Sequence, residues 1–131
     1  MADRVLDTSC LVAHWNQIPS RDSLSEKEAR IWAQRLIDNH NTNLIVTPVY
    51  IEFVVGAQSA DELKRYRAYL GEFKILDKGR IPPQVWTEAR RIAQRVPKSG
   101  KKRQLGDCLI RAIAAHFGNR DVMSLDSGFP R

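Results

Sequence analysis

The sequence predicts an α/β domain of three layers, with helices on both faces of a central parallel sheet of four to five strands. Three observations carry this. Short apolar runs alternate with longer segments of helical periodicity, the order that gives a parallel sheet covered by helices. The 131 residues suit one domain spanning 1–131, with no internal repeat or low-complexity tract to divide it. The apolar fraction of 43% is enough for a core buried under both faces.

The elements follow in order. A first strand is expected from Asp3 to Asp7, and "QIPSRDSL" (17–24) reads as a loop. Ser25 opens a helix, with Glu28 three residues on as a capping box. Ala29, Trp32, Ala33 and Leu36 share one face of it, while Glu26, Lys27 and Arg35 lie on the solvated side. "LIVT" (44–47) is a second strand. Thr47 is placed to cap the next helix, with Pro48 at its first position, and that helix ends near Gly56. Ser59 and Glu62 form another capping box. Leu63, Tyr66, Leu70 and Phe73 make the buried stripe that follows. "FKIL" (73–76) is a third strand. "PPQVWTEARRIAQRV" (82–96) is an amphipathic helix expected to bury Val85, Trp86, Ala89, Ile92, Ala93 and Val96. A basic loop, "PKSGKKRQ", precedes the mostly apolar helix "LGDCLIRAIAAHF", which Gly118 ends. "DVMSL" is the last strand.

Composition narrows the function. No apolar run approaches the roughly 20 residues of a membrane helix, and "MADRVLDTS" carries no secretory h-region, so a cytoplasmic location is expected. Cys10 and Cys108 form no C-x-x-C, which fits a reducing compartment. The net charge of +6 favours a polyanionic partner, either nucleic acid or an acidic protein segment. His14, His40 and His116 show no zinc spacing and read as surface or packing residues.

Four acids stand in sequence that otherwise reads as core. Asp7 ends the first strand in "RVLDTSCLV". Glu52 is the only charge between Leu44 and Ala57. Asp107 opens a helix whose next ten residues carry one other formal charge, Arg111. Asp126 ends the last strand. The alternating order puts each near a strand's carboxyl end or in the first turns of the following helix, the rim where α/β sheets gather functional groups. Each also has a plainer account. Asp7 and Asp126 suit Asx turns. Asp107 suits a helix N-cap or a pair with Arg111. Glu52 suits a lysine from elsewhere. Asp77, with Asp22 and Asp121, reads as a loop or turn residue.

Taken together, clustered carboxylates repel and raise one another's pKa unless a cation lies among them. Hard oxygen donors without His or Cys suit magnesium or manganese. Such a site suits phosphoryl substrates, because the ion lowers the pKa of a water and stabilises charge on phosphate oxygens. Thr8, Ser9 and Ser124 are placed to orient the carboxylates, or to serve as ordinary turn hydroxyls. Lys98, Lys101, Lys102 and Arg103 lie just before Asp107. They read as a flank that holds a polyanion such as RNA, or as a solvated loop.

"VLDTSCLV", the glutamate in the helix after strand two, "LGDCLIRAIAAHFG" and "VMSLDSGF" together resemble the four signature segments of a PIN domain. The match is closest to the VapC-type ribonuclease toxins of bacterial toxin–antitoxin pairs. The resemblance covers nearly the whole chain, and "GDCLIRAIA" with "SLDSGF" is its most specific part. It implies that Asp7, Glu52, Asp107 and Asp126 form the acidic catalytic and metal-binding site, with Ser9 as an auxiliary polar residue. Ser124 stands where the family has Thr or Ser before the fourth acid. The last segment departs from the pattern, since many relatives carry Asn there or end in an Asp-Phe pair. The resemblance further implies an endoribonuclease dependent on Mg2+ or Mn2+ that cuts a structured RNA such as a tRNA or ribosomal RNA. It implies a homodimer, and inhibition by a VapB-type antitoxin.

Two rival classes fit less well. An aspartyl phosphatase of an α/β class fits Asp7 at a strand end, but it needs a second Asp where Ser9 stands. A non-catalytic RNA-binding module on the same fold predicts loss of at least one carboxylate, and all four are present.

Overall fold

The computed structural model describes residues 3–95 and 100–130. Four strands, β1 (Val5–Leu6), β2 (Leu44–Ile45), β3 (Lys74–Ile75) and β4 (Val122–Met123), form one sheet in the order β3-β2-β1-β4. All pairings are parallel: Val5 stands opposite Leu44 and Val122, and Ile45 opposite Ile75. Six helices flank the sheet: α1 (Thr8–Asn16), α2 (Glu26–His40), α3 (Thr47–Val54), α4 (Ala60–Leu70), α5 (Pro83–Ala93) and α6 (Leu105–His116). This is the expected three-layer α/β/α architecture, with four strands.

One hydrophobic cluster runs through the sheet, with Val5, Leu6, Ile45 and Val46 sealed from solvent and Ile110 and Ile113 of α6 against them. Parallel strands buried on both faces read as short continuous apolar runs, which is how they appear in the sequence. No helix among the described residues is long and apolar enough to cross a membrane.

Several expectations are corrected. Helix α1 starts directly at Thr8, where no helix was expected. Asp7, a preferred N-cap residue type, occupies its N-cap position, yet the Asp7 side chain makes no capping bond. Helix α3 begins at Thr47 rather than after it. Thr47 does not cap; its own N–H is taken by Asp77 Oδ1 at 2.8 Å. The Ser25–Glu28 capping box is complete. At Ser59 only half of the box forms, because the Glu62 carboxylate accepts from the Gln58 N–H instead.

Tyr69, outside the expected stripe of α4, is fully buried. Helix α4 packs on both α2 and α3, which widens its buried face. Tyr69 stands among Trp15, Phe53 and Phe73, and its hydroxyl shares a 2.8 Å hydrogen bond with His14 Nδ1. His14 is thus a packing residue. On α5, Val85, Ala89 and Ile92 are buried, but Trp86 and Ala93 are exposed. This helix packs chiefly on α6, so its buried stripe is narrow. Val96 lies outside the described residues. Helix α6 ends as expected, with Gly118 at φ +98° in the left-handed region that favours glycine.

Candidate functional site

The site is built by the sheet's register. Leu6 stands opposite Met123, and the Asp7 N–H donates to the Met123 carbonyl at 2.9 Å. That pairing sets Asp7 beside Ser124, at the carboxyl ends of the central strand β1 and its edge neighbour β4. Asp7 is only 2% exposed. Its Oδ2 accepts from the Ser124 hydroxyl at 2.7 Å and the Ser9 hydroxyl at 3.0 Å. Its Oδ1 is buried with no hydrogen-bond partner among the described residues. The turn account of Asp7 therefore fails. The carboxylate does not cap the helix and is clamped by two hydroxyls, with one oxygen unused.

Ser9 and Ser124 also tie the rim together. The Leu125 N–H donates to Ser9 Oγ, and the Asp126 N–H donates to Ser124 Oγ, each at 3.0 Å. Asp126 Oδ1 accepts the Gly128 N–H at 2.9 Å, the Asx turn that its position suggested.

Glu52 projects from the second turn of α3, and among the described residues no ion pair joins it to a lysine. Thr8 donates to its Oε1 at 2.6 Å. Its Oε2 lies over Gly106, where a Cβ would come within 2.5 Å of it. Gly106 is thus the residue that lets α6 approach α3 closely enough to seat Glu52 beside Asp107.

Asp107 lies in the first turn of α6, whose N-cap is Gln104, so it is not the cap. Among the described residues no ion pair joins it to Arg111, whose Nη1 is buried without a hydrogen-bond partner. Asp107 is 8% exposed. Burial pushes its pKa up to about 6, helped by the negative charges of Asp7, Asp126 and Glu52. The four acids therefore share one electrostatic environment.

They do not form a closed ligand set as they stand. Among the described residues, no three His, Cys, Asp or Glu side chains are grouped closely enough to hold an ion. Glu52 is engaged by Thr8, and Asp126 by Gly128. The donor chemistry nonetheless fits a hard divalent cation. All four groups offer carboxylate oxygens, and Asp7 Oδ1 is a buried acceptor that a cation would satisfy.

Of the basic flank, Lys98 lies outside the described residues. Lys101 reaches across to Ser127 Oγ beside Asp126. Lys102 and Arg103 line a groove between α5 and α6.

One buried acid was read only as a turn residue. Asp77 is 3% exposed and follows β3 as Asp7 follows β1. Its Oδ1 holds the first N–H of α3, and its Oδ2 is buried without a hydrogen-bond partner among the described residues. The signal was available in "FKILD", an acid closing an apolar strand. What the sequence lacks is the neighbour: Thr47 is thirty residues away.

Searches of curated proteins and of solved structures find no match. The family model of the PIN domain matches residues 4–131, a span that holds all four strands, all six helices and every acid of the rim. PIN is generally a nuclease fold. The matched span is nearly the whole chain, and the chain belongs to the PIN domain family.

Proposed function

We propose that this chain is a metal-dependent endoribonuclease toxin of the VapC type. It hydrolyses phosphodiester bonds of a structured RNA, a tRNA or ribosomal RNA, with Mg2+ or Mn2+ as cofactor. The reading extends to a homodimer in a bacterial cytoplasm, held inactive by a VapB-type antitoxin. The toxin class and its partners rest on the resemblance; the chemistry rests on the rim. One observation carries it: a buried carboxylate, Asp7, has one oxygen clamped by two hydroxyls and the other with no partner. A structural acid would be paired with a cation or would cap its helix.

When bound, a divalent ion stabilises charge on the phosphate and activates water. This chain's residues then have distinct tasks. Ser9 and Ser124 fix the direction of the Asp7 carboxylate. Thr8 holds Glu52 in place over Gly106. Asp107 loses its proton near pH 6 and so is ionised at cytoplasmic pH. Lys101, reaching the β4 end of the rim, offsets some of the negative charge an approaching phosphate meets.

A second reading, a non-catalytic RNA-binding module on the same fold, is favoured by the absence of a closed three-ligand group among the described residues. One experiment separates the two. Purified protein is incubated with total bacterial RNA, with magnesium or with chelator, beside an Asp7→Ala variant. A nuclease gives discrete, metal-dependent cuts that the variant lacks. Binding without cleavage supports the second reading, and equal cleavage by the variant refutes the proposed site.

A further inference from the structure

Trp86 was expected in the core and is 47% exposed instead. It stands in a groove of about 530 Å³ between α5 and α6. Four cations line the same groove: Arg90 and Arg95 from α5 and the segment after it, and Lys102 and Arg103 from the segment before α6. Leu105, 76% exposed, extends the apolar floor. No carboxylate lines it among the described residues. Glu88, the acid on α5, pairs with Arg91.

Half-exposed tryptophan costs hydration free energy that burial would recover. Guanidinium and ammonium groups around an aromatic face are the parts of a single-stranded nucleic-acid platform. Bases stack on the ring while cations follow the backbone. The wall formed by Leu105 and Cys108 is the helical turn that carries Asp107. The groove therefore shares α6 with the acidic rim.

We infer that the α5–α6 groove is an RNA subsite, in which an unpaired base stacks on Trp86 and the flanking phosphates engage Arg90, Arg95, Lys102 and Arg103. The inference rests on the nuclease reading for the direction of the strand, but not for the binding itself. An acidic peptide would use the same cations, but an RNA strand brings a stacking base with every phosphate, whereas a carboxylate side chain brings none. The balance of one aromatic and four cations favours RNA.

The test measures binding rather than cleavage. The Asp7→Asn protein, in chelator, is titrated with a fluorescein-labelled single-stranded RNA of mixed sequence. Adding Trp86→Ala to it is expected to weaken binding about ten-fold or more, while Trp86→Phe keeps most of the affinity. Lys102→Ala should lower the slope of log affinity against log salt by about 0.7, the value for one single-strand phosphate contact. Trp86→Ala should leave that slope unchanged. Circular dichroism and the melting temperature confirm that each variant is folded.

RNA affinity equal in wild type and Trp86→Ala overturns the inference. So does equal loss in the Phe and Ala variants, or an acidic peptide that binds through Trp86 while RNA does not. The outcome is separable from the nuclease reading. Trp86-dependent binding without any cleavage by the wild type sinks the nuclease and keeps the subsite. Metal-dependent cleavage lost in Asp7→Asn but unchanged in Trp86→Ala does the reverse.

Discussion

Ser124 Oγ donates to Asp7 Oδ2 at 2.7 Å, joining residues 117 positions apart across the adjacent strands β1 and β4. The bond exists because the parallel register places the residue after Met123 beside the residue after Leu6. Removing it with Ser124→Ala frees the Asp7 carboxylate on one side and strips an acceptor from the Asp126 N–H. Loss of such an orienting group typically costs about 10- to 100-fold in metal affinity or turnover. Initial rates measured against magnesium concentration should show that loss, and Ser124→Thr should recover most of it.

Asp7→Asn separates function from stability. It removes a charge buried with one oxygen unpartnered, so the chelated variant should be at least as stable as wild type in urea. RNA cleavage should fall by about 10³-fold, the range expected when a positioned charge is removed from a reacting centre. Loss of stability together with activity would mark Asp7 as structural.

Gly106→Ala places a methyl group against Glu52 Oε2. The side chain has to swing away, which breaks its bond to Thr8. Alanine gains up to about 1 kcal/mol of helix propensity, and the lost hydrogen bond costs about 0.5–1.5 kcal/mol. Stability should therefore change little. Cleavage should drop about ten-fold or more because Glu52 is misplaced. Paired thermal melts and rate measurements check this.

Asp107 sets a pH dependence. Its carboxyl titrates near 6 in the folded protein and near 3.8 when unexposed to such surroundings, so the folded state binds the proton more tightly. In chelator, its contribution to stability is fully present below about pH 4 and is lost as pH rises through about 6. Asp107→Asn should therefore be more stable than wild type at pH 7.5 and close to it at pH 4. Divalent ion competes with the proton, so its stabilising effect should grow across the same window. Thermal melts at four pH values, with and without manganese, give both trends.

Asp77→Ala should behave differently from the rim variants. It leaves the first N–H of α3 without its acceptor, at a cost of about 1–2 kcal/mol, like the loss of a helix cap. The midpoint of urea unfolding should fall. Cleavage per folded molecule should change little if Asp77 only holds the helix start.

Much of this architecture is legible in local sequence. Ser25 and Glu28 announce α2 because both halves of a capping box lie within four residues. "LGDCLIRAIAAHF" reads as a buried helix because its apolar residues are continuous. The acids are legible as anomalies, since Asp7 and Asp107 sit in apolar surroundings and are buried. What the sequence hides is set by distant partners. Asp7 precedes α1 as an N-cap residue type would, but its carboxylate bonds Ser124 and Ser9 instead of capping the helix, which the sequence does not state. Tyr69 is buried because two helices cover α4, and Trp86 is exposed because one covers α5. Period alone does not state how many neighbours a helix has.

The reading centres on a divalent cation as the missing partner of Asp7. Manganese binding followed by electron paramagnetic resonance tests it directly. Wild type titrated with Mn2+ at pH 7.5 should show saturable loss of the free-ion signal, and Asp7→Asn and Asp107→Asn should each lose most of that binding. Lys74→Ala, at the amino end of the edge strand β3, should bind as wild type does. Saturable binding that survives both rim substitutions, or no binding by the wild type at millimolar Mn2+, would contradict it.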